Sequence, residues 1–191
     1  MHGAALSDAV SALAVLRIAA AQCAVFLALL LIASAAHKAL QRARVRRAAQ
    51  ALAGVSPRYA ASLATAAAIA EVLAGCLLLI PAGRLVGALL AVSIWGAYGA
   101  ALARAWRSGK TDVDCGCSFG AASGPLGPYQ WLRAFGLATL AALVAAAPRV
   151  HGGATLSMWT TQLFAATALL GLYAAVDQVM ALRPLRSGEV A

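Results

Sequence analysis

The stretch IAAAQCAVFLALLLIASAA, residues 18–36, decides the fold class of this chain. It contains no charged residue and is close to the about 20 apolar residues that an α-helix needs to cross a bilayer. A segment that crosses lipid must satisfy its own backbone hydrogen bonds, which a helix does. No Lys or Arg precedes residue 17, so the run is not typical of a cleaved signal peptide. The sequence therefore predicts a transmembrane helix that stays in the protein.

Further windows of the same kind follow along the chain. The chain is 63% hydrophobic and only 11% charged over its 191 residues. With the first window, taken as 18–36, the predicted spans are about 59–80, 85–103, 129–147 and 156–178. The sequence thus predicts an all-α polytopic membrane protein. We expect one integral membrane domain over residues 1–191: a bundle of about five transmembrane helices, with a four-helix core and one long Cys-containing loop.

The formal net charge of +9 sets the expected orientation. Basic residues cluster beside the apolar windows without interleaved aromatic residues, which argues against a nucleic-acid partner. With five spans and the N-terminus outside, twelve Lys or Arg fall on inner segments and three on outer ones, as the positive-inside rule requires. We therefore predict a bacterial inner-membrane protein in contact with the lipid bilayer, with its N-terminus outside. Residues 37–58 form a basic connector whose six Lys or Arg residues either only set the orientation or also contact anionic lipid headgroups.

The long inner loop, residues 104–128, carries the chain's most distinctive pattern, DCGCSFG at 114–120. Cys115 and Cys117 flank a single glycine, so a disulfide between them would close a small, strained and readily reduced ring. Gly116 supplies the backbone freedom that such a ring needs, and Gly120 leaves room for a partner chain to approach. The pair is a candidate for thiol–disulfide exchange.

Other uses of the thiols stay open at this level. Arg107 and Lys110 would favour a thiolate, whereas Asp112 and Asp114 would oppose it, so the local charge does not decide reactivity. Two thiolates with the imidazole of His37 would suit Zn²⁺ or Cu(I). Finally, the two cysteines could be incidental loop residues. We interpret Cys23 and Cys76, which lie within predicted helices, as small buried apolar residues, with a second redox pair as the alternative.

Glu71 lies near the middle of the second predicted span, where an ionised carboxylate is costly and is a functional candidate by default. It could be protonated, paired, or relay protons for thiol chemistry. Arg133, near the start of the fourth span, is a candidate ion partner for Glu71 or for Asp177. At the end of the first span, His37 and Lys38 are interpreted as an interfacial cap.

These residues together resemble the MauE family of methylamine-utilisation membrane proteins, relatives of the DoxX-like membrane proteins. The resemblance runs over roughly residues 18–147. Its matching positions are His37 and Lys38, Glu71, the block Asp114, Cys115, Gly116, Cys117, Phe119 and Gly120, and Arg133. The chain departs from the family pattern in the Ser118 that precedes Phe119 and in the Ala134 that follows Arg133.

The resemblance implies a role in maturing the small, disulfide-rich (beta) subunit of methylamine dehydrogenase, together with a thioredoxin-like redox partner. Cys115 and Cys117 would be the exchanging pair, with Glu71 and Arg133 supporting the bundle or the loop. We predict no bound cofactor and no resident metal. An exported client conflicts with a cytoplasmic Cys loop. Either the loop folds back into the bundle, or the pair draws on cytoplasmic thiols, or the number of spans differs by one.

Two other function classes compete with this hypothesis. One is a non-catalytic membrane assembly or transport factor, in which the Cys loop is structural or a docking site. The other is a Zn- or Cu-handling membrane protein. Nothing in the sequence supports a soluble enzyme: it has no phosphate-binding glycine motif, no nucleophile elbow and no paired acids on a soluble scaffold.

Overall fold

The computed structural model describes residues 2–110, 126–148 and 156–182. Within these ranges the chain is helical and has no strand, which confirms the predicted all-α membrane fold. The helices are α1 His2–Leu40, α2 Arg42–Ala53, α3 Pro57–Leu79, α4 Arg84–Arg107, α5 Pro128–Ala146 and α6 Leu156–Leu182.

Five of these helices are long and apolar enough to cross a membrane in the described part of the chain. Their spans are Ser11–Leu40, Pro57–Leu79, Arg84–Arg107, Pro128–Ala146 and Leu156–Met180. The protein is therefore a multi-pass membrane protein. The first span extends beyond the predicted 18–36 at both ends. At its start, residues 11–17 add further apolar residues and a single arginine. The single-domain assignment stays a prediction.

Local sequence explains where several helices begin and end. Proline occupies the first position of α3 and of α5, where its missing N–H removes no hydrogen bond and its fixed φ suits a helix. Gly54 follows α2 with a φ of 66°, and Gly109 follows α4 with a φ of 71°. This left-handed conformation strains residues that carry a Cβ, so glycine fits both helix ends.

Helix α1 is the centre of the bundle and packs against α3, α5 and α6. Its middle turns are buried almost completely, with Ala24, Leu27 and Leu31 at 0% exposure. Helices α3, α4 and α5 complete the core in chain order, each packing against the next. Helix α6 adds to α1 from one side and, among its residues whose burial is described, buries one apolar side chain, Ala166, in the core. The four helices α1, α3, α4 and α5 thus form the core, with α6 against it.

Small residues let these helices approach closely. A Cβ on Gly75 of α3 would lie 2.9 Å from Cγ1 of Ile32 and 3.2 Å from the carbonyl oxygen of Ala28, both on α1. A Cβ on Gly99 of α4 would lie 3.1 Å from the ring of Phe135 on α5. Close backbone approach at small residues is a common basis of helix association in lipid, and these two glycines provide it here.

The basic connector is an amphipathic helix, α2, that lies against α3 and α4. Val45 and Ala48 are buried on one side, whereas Arg42, Arg46 and Arg47 are exposed. Such a segment places its apolar side on the bundle and its cations toward the membrane surface or the solvent.

Candidate functional site

The thiol block lies outside the described residues. It comprises Asp114, Cys115, Gly116, Cys117, Phe119 and Gly120. The assignment of Cys115 and Cys117 as an exchanging pair therefore stays a prediction. The structure describes the residues on either side of the block, up to 110 and from 126 onward, which we call the two stems.

The two stems meet at one end of the bundle. Leu126 is 3% exposed and packs against Leu102 and Ala105 of α4. The indole rings of Trp106 and Trp131 lie 6.1 Å apart, centroid to centroid. Aromatic pairs at this separation add to the apolar contact. The described residues on both sides of the block are therefore packed against the same pair of helices, α4 and α5.

Basic side chains surround the base of this loop. A cavity of about 380 Å³ lies between the end of α2 and the end of α4, with Gly54, Arg104 and Lys110 in its wall. Arg107 lines a neighbouring cavity together with Trp131. The cations that the sequence places near the thiols are thus at the loop's base.

The second cluster is a buried ion pair between α1 and α3. Nζ of Lys38 lies 2.6 Å from Oε1 and 2.8 Å from Oε2 of Glu71. Lys38 is 6% exposed and Glu71 is 1% exposed. A charged side chain in lipid is tolerated when an opposite charge neutralises it and its remaining donors and acceptors are hydrogen-bonded. Here each member of the pair neutralises the other.

Two neutral side chains complete this cluster. Oγ of Ser34 accepts a hydrogen bond from Lys38 at 2.8 Å and donates one to Oε1 of Glu71 at 3.1 Å. The Tyr98 ring on α4 lies 5.1 Å from Nζ of Lys38, and its side chain also hydrogen-bonds Glu71. The cluster therefore joins three helices of the core through one carboxylate.

The interfacial-cap interpretation of Lys38 is therefore wrong. Although Lys38 lies two residues from the end of α1 at Leu40, its side chain points into the bundle instead of out to the interface. The physical reason is the acid on α3, which gives the ammonium a partner inside the bundle. His37 beside it is half-buried.

The structure pairs Arg133 with Asp177, the second of the two candidates. This ion pair joins α5 to α6, and both side chains are nearly buried, at 9% and 6% exposure. The guanidinium also lies 5.8 Å from the Tyr129 ring and 5.9 Å from the Tyr173 ring, within cation–π range. Glu71 and Arg133 thus belong to separate clusters.

The remaining cysteines are not paired with each other. Cys23 and Cys76 are free, with Cys23 half-buried and Cys76 exposed on α3. The interpretation of Cys76 as a buried apolar residue is therefore wrong, because its position on α3 faces away from the core. No group of three His, Cys, Asp or Glu side chains gathers within residues 2–110, 126–148 and 156–182, and the proposed Zn or Cu ligands at 115 and 117 lie outside that part.

Sequence reasoning missed Ser34 and Tyr98 as members of the cluster. A spacing signal existed for Ser34, since it lies four residues before Lys38 and so one turn away on the same helix face. No local signal marks Tyr98, because its proximity depends on how α4 packs against α1 and α3.

Comparison with known proteins identifies the family to which the chain belongs. The family model for methylamine utilisation protein MauE matches residues 12–147, which include the Lys38–Glu71 cluster, the thiol block and Arg133. The methylamine utilization protein MauE of Methylophilus methylotrophus is 33% identical over 101 residues, covering 52% of this chain and 53% of that protein. The chain thus spans about half the length of this curated relative. No solved structure matches it. Since the family model covers well over half of the sequence, the chain belongs to the MauE family.

Proposed function

We propose that this protein is a thiol–disulfide exchange protein of the bacterial inner membrane. Cys115 and Cys117 are its redox pair, and it helps a thioredoxin-like partner to form or correct disulfides in an exported client. By family resemblance the client is the small subunit of methylamine dehydrogenase, in methylamine utilisation. Membership of the MauE family supports a role in methylamine utilisation, and the two cysteines of the thiol block support thiol–disulfide exchange.

The single structural observation that carries the proposal is the packing of both stems at one end of the bundle. Leu126 is buried against Leu102 and Ala105, and the backbone N–H of Lys110 donates to the carbonyl oxygen of Ala105 at 3.1 Å, so the described residues on both sides of the block lie at the same end of α4. A reactive loop held on a rigid scaffold can present its thiols to a partner at a fixed site.

Each exchange step balances between this protein and its partner. The thiolate of one cysteine attacks a disulfide of the partner, which forms a mixed disulfide and releases a partner thiolate. The second cysteine then attacks the mixed disulfide, which closes the Cys115–Cys117 bond and releases the second partner thiolate. Two electrons move from this pair to the partner, and the reverse sequence moves them back. The thioredoxin-like partner is the co-reactant in both directions.

The buried ion pairs serve as positioning elements in this proposal. Lys38–Glu71 joins α1 to α3, and Arg133–Asp177 joins α5 to α6. Arg133 lies five residues after Pro128, where α5 begins, so it holds the helix that receives the returning stem. Neither pair needs to touch a client in order to keep the loop in place.

The test is to replace the loop cysteines singly and to follow the client. We expect Cys115→Ser and Cys117→Ser each to abolish client maturation while the protein still accumulates in the membrane. One of the two variants should also retain a mixed disulfide with the partner, because the resolving thiol is missing. Non-reducing electrophoresis and mass spectrometry of the adduct measure this.

The matched controls are Cys23→Ser and Cys76→Ser, which remove a thiol from the helices instead of the loop. Both should mature the client normally. Normal maturation in the two loop variants would reject the exchange function. A loss that follows only from reduced protein abundance would favour the non-catalytic assembly factor.

A further inference from the structure

Two cavities meet beneath the amphipathic helix α2. The larger, about 490 Å³, lies between α2, α3 and α4 and has apolar walls that include Leu52, Ala67 and Ile94. The smaller, about 370 Å³, lies between the end of α1, α2 and α3 and has Arg42 and Arg46 in its wall. Their linings share three residues: Lys38, Val45 and Ala64. The two cavities therefore adjoin, and together they offer an apolar part and a cationic part.

The cationic part lacks a counter-charge within the described residues. Arg42 and Arg46 lie one helical turn apart on the same face of α2, and both are exposed. Nε of Arg42 donates to the carbonyl oxygen of Ala39 at 3.1 Å, which orients the guanidinium. No acidic side chain is among the residues that line either cavity. The site is thus complementary to an anion.

The position of the cationic cavity along α3 indicates what kind of anion fits. The opposite wall of the smaller cavity runs from Ala61 to Ala68, which is about 6–16 Å along α3 from its start at Pro57, at 1.5 Å per residue. The arginines therefore border a space beside the first one to three turns of a membrane-spanning helix. A guanidinium near hydrocarbon is costly unless it is paired or reaches the interface, and a lipid phosphate supplies a partner at that level.

We propose that this site binds one anionic phospholipid. The phosphodiester lies against Arg42 and Arg46, and one acyl chain occupies the 490 Å³ cavity under α2. Its volume lies within the range usual for ligand pockets, and basic pockets between transmembrane helices bind anionic headgroups. Lys38 borders the junction, but Glu71 already neutralises it at 2.6 Å. The headgroup contact therefore depends on the two arginines.

The headgroup is tested by native mass spectrometry of the full-length protein in detergent, titrated with phosphatidylglycerol and, separately, phosphatidylcholine. We expect one phosphatidylglycerol to bind with saturation and phosphatidylcholine to bind at least about tenfold more weakly, since each interfacial cation adds about one kcal/mol. Arg42→Gln/Arg46→Gln should lose that preference. Arg44→Gln/Arg47→Gln removes the same charge from the same helix outside the cavities and should keep it. Equal losses in both double variants would mean general surface attraction and would overturn the proposal.

The acyl chain is tested by filling the apolar cavity. Ala67 lines this cavity, whereas its neighbour Ala66 is exposed and absent from its wall. Ala67→Phe should weaken phosphatidylglycerol binding several-fold and Ala66→Phe should not. Competition with inorganic phosphate distinguishes a lipid site from a simple anion site: displacement by phosphate at low concentration, or equal binding by the two Phe variants, would overturn the proposal. Size-exclusion profiles identical to the parent's establish that each variant is folded.

Discussion

Lys38 and Glu71 are 33 residues apart in sequence, yet the Lys38 ammonium lies within 2.6 and 2.8 Å of the two carboxylate oxygens of Glu71. The pair joins the last turn of α1 to the middle of α3. Both residues are almost fully buried, at 6% and 1% exposure. This contact explains how an apolar helix such as α3 can carry an acid, since the neighbouring helix supplies the compensating charge.

Removing one member of this pair should destabilise the protein strongly. Glu71→Gln leaves the Lys38 ammonium buried without a counter-charge, and breaking a buried pair in this way costs about 3–5 kcal/mol. We expect a markedly lower thermal midpoint for the detergent-solubilised protein, followed by the loss of monodisperse protein on heating.

The control for this prediction is an exposed cation on the same helix. Arg58→Gln alters the exposed start of α3, where ionic contacts are worth about 0–1 kcal/mol, and should leave the midpoint nearly unchanged. Replacing both partners, as in Lys38→Met/Glu71→Leu, should recover much of the lost stability because no charge is left unpaired. If the thermal midpoint of Glu71→Gln equalled that of the parent, a stabilising buried pair between Lys38 and Glu71 would be contradicted.

The Arg133–Asp177 pair should control how tightly α6 is attached. Ala166 is the only fully buried apolar side chain of α6 among the described residues, and Trp159, Leu170 and Tyr173 are only partly buried against the core. The ion pair therefore adds a nearly buried polar contact that ties α6 to α5. Asp177→Asn should raise hydrogen exchange in α6 while that of α1 and α3 changes little. Arg133→Lys should do so partially, because an ammonium cannot reproduce the planar guanidinium.

Thr167→Ala is the control for α6. Its hydroxyl bonds the carbonyl of Leu163 within the same helix and faces away from the bundle, so exchange should match that of the parent. If Asp177→Asn and Thr167→Ala gave the same exchange in α6, the pair would not be holding the helix.

The helices were predictable from sequence because the bilayer imposes a strict rule. A span must be long, apolar and hydrogen-bonded within itself, so residues 18–36 suffice to identify a helix without any knowledge of its neighbours. The end of α1 was less predictable, since Lys38 beside a polar segment has the pattern of an interfacial cap.

The ion partners were not predictable, because pairing depends on which helices pack together and in what register. The sequence places two acids, Glu71 and Asp177, within predicted spans, and Arg133 is a candidate partner for either. Only the packing of α1 against α3 brings Lys38 to Glu71, which leaves Arg133 for Asp177. The roles predicted for Cys115 and Cys117 stay predictions, since they lie outside the described ranges.

The contact at Gly75 should be intolerant of even one methyl group. In Gly75→Ala the added Cβ would lie 2.9 Å from Cγ1 of Ile32 and 3.2 Å from the Ala28 carbonyl oxygen, so α1 and α3 would have to separate. Overpacking of this kind costs about 1–3 kcal/mol. We expect a lower thermal midpoint, whereas Gly96→Ala, with nothing within 4 Å of the new Cβ, should keep or slightly raise the parent value because Ala favours a helix over Gly. Equal midpoints would show that the helices adjust freely.

The charge distribution predicts on which side the thiol loop lies. Twelve of the Lys and Arg residues fall on segments that share a side with residues 104–128 when the N-terminus is outside, and such an excess marks the cytoplasmic side. In a Cys23→Ser/Cys76→Ser background, reduced Cys115 and Cys117 should resist a membrane-impermeant maleimide on intact cells and react after the membrane is opened. A single cysteine at Ala82, in the turn between α3 and α4, should react on intact cells. If the loop thiols resist the reagent as expected, the pair exchanges with a thiol partner on the cytoplasmic side and reaches the exported client only through other thiols. Labelling of the loop thiols on intact cells would reverse the orientation.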